Sequence, residues 1–433
     1  MRFRSTRNKE LDVSFADAIL NCIPQDGGLY VPCRTEDLRR WLLYMDEETS
    51  FSSIAGTLTS AFINEEFSPI ICETIATRAF DFSPEIKQLD DELFFMDLST
   101  GPTGNHRDFG ISYLAAAIET IMQYRGGTSI ILDVTTGEMG ASLANALRGK
   151  YHIKAVLVYP KGSLRGLEEK DLVWNGGNIY PVELDGSVQD CYSMVKKVFE
   201  DREFIKARGI NVANTANIGR LLPQAFFYPF AFSRIKSKVH SDIHYALAAG
   251  NYSNVVAGLY AWQFALPLNG FIIPSTDALS VDALGNPILL DSIVPLNERI
   301  ECDPANPSNL ERLEDVFSAN ELMMKHFIYP RSIKDEEVSF AAKELYKKYG
   351  VLADRHTARA YAAVLNRKDV VSDESAIVLI NRDHPSLSQD YIRHTVGEVP
   401  EMPLGVKKSL LKFNLNKPVI TSPEQLFSIL CSI

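Results

Sequence analysis

One pattern recurs along these 433 residues and constrains the fold more than any other: a short apolar run, a glycine-bearing turn, then a helix-prone stretch. Residues 129–134 (SIILDV) lead through Gly137 and Gly140 into the helix-prone ASLANAL at 141–147. Residues 155–159 (AVLVY) precede Pro160 and Gly162, and residues 245–249 (YALAA) precede Gly250 and Asn251, with a helix expected from about Asn254. A fourth apolar run, AIVLI at 376–380, precedes Asn381. Strands that alternate with helices and lack hairpin turns predict an α/β fold of parallel sheets wrapped by helices. Ligands in such folds sit beyond the carboxyl ends of the strands, so these turns are where function is expected.

A chain of this length with 46% hydrophobic residues buries more than one core. Three units are predicted: a helix-rich N-terminal domain over 1–95, which includes the turn and strand GGLYVP at 27–32, a first α/β subdomain over 96–235, and a second over 236–433 with C-terminal helices. Residues 277–309, rich in Pro, Asn and Asp, read as a long loop or a cap over the site. The net charge of -11 and pI near 5.3 argue against a nucleic-acid or anionic-membrane partner, either of which selects a basic face. The basic start of the chain runs into Asp12, Asp17 and Asn21, so neither a signal-peptide core nor a spanning helix is expected, and the protein reads as cytoplasmic. Its six cysteines carry no paired spacing and read as structural thiols.

The turns at 135–140 and 250–254 each open a helix, where free backbone N–H groups and the dipole suit a phosphate or carboxylate. Equally, such turns let a helix pack closely on its strand. The string HRDFG at 106–110 contains both kinase tripeptides, but kinases need those aspartates on separate loops and here Asp108 would serve as both. His240 and His244 are four apart without an intervening glutamate, and no GxSxG elbow occurs, so no metal site and no hydrolase triad are predicted.

The chain resembles threonine synthases along its whole length. The resemblance rests on VSFA at 13–16 followed by GLYVP at 28–32, then YPKG at 159–162, GGNI at 176–179, Asp185-Gly186, NTAN at 214–217 with Arg220, Gln224, PSN at 307–309 with Glu311-Arg312, and His356-Thr357. It implies fold-type II architecture, like that of the tryptophan synthase β chain, and pyridoxal 5'-phosphate as cofactor. It also implies conversion of O-phosphohomoserine and water to threonine and phosphate. That chemistry needs a lysine amine, which forms an imine with the cofactor aldehyde and then moves protons on the substrate. The family places this lysine in a GPTxxFKDFG segment.

Here the segment reads GPTGNHRDFG at 101–110, with Arg107 at the lysine position and His106 at the preceding aromatic. A guanidinium holds its proton and offers no nucleophilic nitrogen, so Arg107 is not competent for the imine. The family's carboxylate loop, TSGDTG, becomes Thr135, Thr136, Gly137, Glu138, Met139, Gly140; these, with Asn217 and Arg220 of the phosphate-associated NxxNxxR motif, are the implied substrate-binding set. The cofactor-phosphate loop, SGNFGN, becomes Ala249, Gly250, Asn251, Tyr252, Ser253, Asn254, and the TAHPAKF segment begins here with Arg382.

Three readings follow. The first is a divergent, non-catalytic member that binds a small anion, such as phosphate or a phosphorylated amino acid, with Arg107, Arg220 and Arg382 along the old cleft. The second is an active threonine synthase. The third is different chemistry with His106 or Glu138 as general base. In the first, covalent attachment of the cofactor is not expected, and a chain without cofactor is an alternative. Arg107 paired with Asp108 or Glu138 in an empty cleft is the plain structural alternative. The sequence leaves the oligomeric state open.

Overall fold

The computed structural model describes residues 2–282, 287–289, 294–295, 298–318, 320–367 and 371–433. Two sheets organise it. The first has four parallel strands in the order Ile179–Leu184, Ile153–Pro160, Ser129–Val134, Ile210–Asn211. Ser129–Val134 is buried at every residue, as a strand covered by helices on both faces must be. It exits through the Gly137 turn into the helix Glu138–Leu147, one turn earlier than the alanine-rich run alone suggests.

The second sheet has six strands in the order Ile328–Arg331, Gly270–Pro274, Ile243–Ala246, Ala376–Asn381, Leu93–Asp97, Glu85–Gln88. All pair in parallel except Glu85–Gln88, which folds back antiparallel on Leu93–Asp97. The strand Leu93–Asp97 thus crosses the expected boundary at 95/96 and joins strands drawn from beyond residue 236. It pairs with Ala376–Asn381, nearly 300 residues away, because both are short apolar runs that need two covered faces. The third apolar run is strand only over Ile243–Ala246; Leu247 to Ala249 already belong to the turn that leads into the helix Ser253–Gln263.

The helix Arg107–Arg125 packs against the helices Pro69–Ala79 and Glu138–Leu147, with Phe109, Ile111, Tyr113, Leu114, Ile118 and Ile121 all buried. A helix apolar on every side belongs in a core, and the N-terminal helices cover it. Phe51, in the helix Phe51–Ile63, meets Phe80 at 4.9 Å and Phe109 at 5.5 Å between ring centroids, and Phe109 meets Phe227 at 5.1 Å. The N-terminal segment therefore shares a core with the helix that carries position 107. Of the long loop expected over 277–309, Leu279–Val281 pairs antiparallel with Pro287–Leu289, while residues 283–286, 290–293 and 296–297 lie outside the described residues. Among the described residues no helix is long and apolar enough to cross a membrane. His244 lies within the strand Ile243–Ala246.

Candidate ligand cleft

A cavity of about 260 Å³ opens beyond the carboxyl ends of four strands: Leu93–Asp97, Ile210–Asn211, Ile243–Ala246 and Ala376–Asn381. Its wall gathers His106, Arg107, Met139, Arg220, Gly250, Asn251, Ser253, Asn254 and Arg382 from the residues that the sequence singles out. Five segments far apart in the chain meet there, as the strand-turn-helix pattern predicts.

Arg107 is the first residue of its helix. A cation at that end opposes the helix dipole, at a cost of roughly 0.3–1 kcal/mol, so it calls for a counter-charge. Asn105 Oδ1 accepts from the Arg107 backbone N–H at 3.0 Å and from its Nη1 at 3.1 Å. Glu138 Oε2 lies 3.5 Å from the same Nη1, and Glu138 Oε1 lies 3.5 Å from Arg165 Nη2. Of the two carboxylates that could pair with Arg107, Glu138 does so. Asp108 turns away, its oxygens accepting from the Thr103 N–H and hydroxyl at 2.7 and 2.8 Å, and burial raises its carboxyl above the ordinary range.

His106 faces Arg382 and Asp383 across the cleft wall. The backbone joins the two segments: His106 N–H donates to the Arg382 carbonyl at 3.0 Å, and His384 N–H to the Gly104 carbonyl at 2.7 Å. The His106 Nδ1 then sits 2.8 Å from Asp383 Oδ1, while its Nε2 is 3.5 Å from Arg382 Nη2. Burial, with Arg382 and Arg107 beside it, drops the imidazole to about 3 despite the carboxylate. Burial would raise Asp383, but its cationic neighbours and the His106 bond hold it below the usual carboxylate range. The pair is therefore a neutral ring that donates Nδ1–H to a carboxylate, its Nε2 lone pair turned to Arg382.

Arg220 is 5% exposed, and its side chain makes no hydrogen bond or ion pair with any described residue, though the Asp108 and Asp133 carboxyls act on it through space. Burial and Arg107 pull its guanidinium down to about 9, so it remains a cation at neutral pH. Its end lies against Gly110, where a Cβ would overlap Nη1. Asp133, at the end of the strand Ser129–Val134, is buried behind the cleft and accepts from the Ala213 N–H at 2.9 Å; burial lifts its carboxyl to about 7.

That elevation makes stability pH-dependent with a definite sign. A carboxyl that binds its proton more tightly when folded stabilises fully below its unfolded value near 4, and loses that contribution as pH rises through about 7, at up to about 1.4 kcal/mol per unit. His106 acts oppositely: neutral when folded, it loses stability as pH falls below roughly 6.5. Asp133→Asn, which imitates the protonated carboxyl, is expected to match the parent near pH 4 and exceed it at pH 8. Denaturant midpoints for both proteins across that range isolate Asp133, since His106 is common to both; a constant difference would exclude a raised Asp133.

Several expected binding residues lie elsewhere. Asn217 is wholly buried and donates Nδ2–H to the Ile19 carbonyl at 2.9 Å and Asn211 Oδ1 at 2.8 Å, which holds the chain rather than a ligand. The Thr135 hydroxyl oxygen accepts from Gly137 and Gly140 N–H at 2.9 and 3.0 Å, closing its own turn. Gly137 is covered by the Arg165 side chain, and Thr136 and Glu138 do not line the cavity. Tyr252 takes the left-handed conformation, φ 67°, which turns its phenol to Thr276 at 2.7 Å, away from the cavity. Of the carboxylate loop, Met139 alone reaches the wall.

Sequence reasoning missed Asp383. It is 277 residues from His106, and only its place beside Arg382 in a segment already singled out pointed to it. Leu98, Phe227, Tyr228 and Ile380 also line the cavity and carry no local signal, being ordinary core residues in sequence.

Pyridoxal phosphate can be tested against these residues. The Gly250–Asn254 turn, with Gly250 at φ 53° and a helix of 11 residues behind it, presents backbone N–H groups where a phosphate would rest. Among the described residues no lysine lines the cavity, and the charged side chains on its wall are Arg107, Arg220 and Arg382. The described lining offers backbone and guanidinium donors and no amine for an imine.

The chain matches the family model for pyridoxal-phosphate dependent enzymes over residues 68–383, and that for the threonine synthase N terminus over residues 2–80. It is 28% identical to threonine synthase of Buchnera aphidicola subsp. Schizaphis graminum over 427 residues, covering 97% of this chain and 96% of that one. It is 28% identical to threonine synthase of Escherichia coli strain K12, covering 93% of each. The crystal structure of the Escherichia coli threonine synthase superposes over 100% of both chains with a TM-score of 0.79 and 24% identity. That of PLP-bound threonine synthase from Brucella melitensis gives a TM-score of 0.80 at 20% identity, over 99% of this chain and 98% of that one. With one family match spanning most of the chain and the other supplying its N-terminal part, the protein belongs to the pyridoxal-phosphate dependent enzyme family, in its threonine synthase branch.

Proposed function

We propose that this chain keeps the threonine synthase scaffold without its pyridoxal-phosphate chemistry, and binds a small anion, a phosphate or a carboxylate, in the cleft. One observation carries the reading: the cavity wall presents three guanidiniums, Arg107, Arg220 and Arg382, and no amine. Guanidiniums recognise phosphate and carboxylate through paired, charge-assisted hydrogen bonds. Arg220 supports it most directly, because a buried cation that no described residue hydrogen-bonds costs free energy that a bound anion would recover. The backbone N–H groups at Gly250–Asn254 add neutral donors on the same wall.

Two measurements on the purified protein test this. Mixed with pyridoxal phosphate and reduced with borohydride, the chain should carry no adduct on a cleft lysine, whereas calorimetry with inorganic phosphate should show one saturable site. A borohydride-fixed lysine adduct together with threonine release from O-phosphohomoserine would return the chain to the active enzymes. Absence of phosphate binding would remove the anion reading. A second reading, different chemistry in the same cleft, is favoured by the 2.8 Å contact between His106 and Asp383.

A further inference from the structure

The His106–Asp383 contact is the one arrangement in the cleft that neither a phosphate site nor the family motif requires. Where the family has an aromatic residue this chain has His106, and where it has the alanine of TAHPAKF this chain has Asp383. Two polar replacements 277 residues apart meet at 2.8 Å, with backbone hydrogen bonds on either side fixing their segments together. The carboxylate accepts a hydrogen bond from Nδ1–H and so sets the tautomer, which leaves the lone pair on Nε2. Among the described residues Nε2 bonds only to Arg382 Nη2, at 3.5 Å, too long to engage that lone pair strongly. Arg107 lies on the same wall, as does the buried Arg220, whose side chain bonds to no described residue.

We propose that His106 Nε2 accepts the phosphoryl group of a small acyl phosphate, with Asp383 as the positioning residue and Arg107 and Arg382 on the phosphoryl oxygens. This rests on the anion-binding reading. The donor class follows from what the site lacks. A phosphate ester leaves as an alkoxide and needs an acid to protonate it. No carboxylate is among the described residues that line the cavity: Asp383 is bonded to His106, and Glu138, off the wall, is tied between Arg107 and Arg165. The leaving carboxylate of a mixed carboxylic-phosphoric anhydride needs no proton, and the arginine wall suits it.

The step balances. The neutral imidazole attacks phosphorus, the Nε2–P bond forms, and the P–O bond to the acyl group breaks with its electron pair on the carboxylate. The Nδ1 proton stays on the ring, now cationic, against the Asp383 carboxylate. Water then attacks phosphorus, the P–N bond breaks, and dihydrogen phosphate leaves a neutral ring. The bound dianion offsets the guanidinium field that otherwise depresses the ring, so nucleophilicity returns when the site is filled.

The test uses the full chain with 32P-labelled acetyl phosphate. The expected product is a protein-bound phosphate that survives alkali, is lost in acid, and maps to His106 by mass spectrometry. His106→Gln should abolish it. Asp383→Asn should slow labelling on the order of 100-fold by freeing the ring, while inorganic phosphate still binds both variants. That split between labelling rate and phosphate affinity is one a merely structural Asp383 would not produce, and it decides the matter should His106→Gln fail to fold. No label, or an acid-stable label on a carboxylate, overturns the phosphoryl-acceptor role. If phosphate binding persists in that case the anion-binding reading stands, and if it too is missing both fall.

Discussion

Arg312→Met is expected to cost about 3–5 kcal/mol of stability, a large part of what holds a globular protein folded. The guanidinium is wholly buried and bonds no carboxylate. Four of its five N–H donors go instead to oxygens: the Tyr30 carbonyl at 2.9 Å and the Thr215 and Ala216 carbonyls at 2.5 and 3.0 Å, in two distant segments, and Asn309 Oδ1 at 2.6 Å, at the start of its own helix. Methionine fills much of the volume but leaves those acceptors orphaned in a dry interior, which is the expensive outcome. Lysine keeps the charge on one nitrogen that cannot span all four oxygens, so Arg312→Lys should recover only part of the loss. The consequence reaches the cleft. Thr215 lines it, and the Thr215 hydroxyl accepts from Asn251 at 2.8 Å and Asn309 at 3.0 Å, so the Gly250–Asn254 turn loses its footing with the arginine. Equilibrium denaturation measures the cost; a loss below about 1 kcal/mol would mean that water replaces the guanidinium and that these bonds are not structural.

How much of this was legible beforehand follows from where each signal resides. The strand Ser129–Val134 and its glycine turn are local, so an apolar run, two glycines and an alanine-rich helix announced them within twenty residues. The same holds for Ala376–Asn381, whose six residues are all buried. The pairing of Leu93–Asp97 with that strand is not local. Nothing within either segment says that a strand preceding the Arg107 helix joins the sheet built after residue 236, since apolar runs are interchangeable as partners.

The site divides in the same way. Arg107, Arg220 and Arg382 were visible because a charged residue at a motif position stands out, and the cavity does collect them. Asn217 stood out equally and serves the scaffold, with all its polar atoms consumed by Ile19, Asn211 and Gly219. A motif fixes a position in the fold, whereas burial and partner geometry decide whether the side chain faces a ligand. Glu138 shows the difference: its carboxylate, a candidate base by residue type, is held between Arg107 and Arg165.

Arg220→Met should move stability and binding in opposite directions. In the parent the guanidinium is buried, cationic at neutral pH, and without a partner among the described residues. Replacing a buried charge that no described residue hydrogen-bonds, and that Asp108 and Asp133 offset only through space, by an apolar side chain of similar length should raise stability in phosphate-free buffer by about 1–4 kcal/mol. Phosphate at a hundred times its dissociation constant should stabilise the parent by about 2.7 kcal/mol and the variant hardly at all. Strain held in an empty site and released on binding is the usual signature of a functional group, and a purely structural arginine would show a loss in both buffers. Gly110→Ala provides the control. Its Cβ would overlap Arg220 Nη1 and lie 2.8 Å from the Arg220 carbonyl oxygen, so the guanidinium must leave its place while the charge stays buried. That variant should lose the phosphate response without the gain in stability. Thermal unfolding of the three proteins with and without phosphate reads both effects, and an Arg220→Met protein less stable than the parent in phosphate-free buffer would show that the cation is already satisfied.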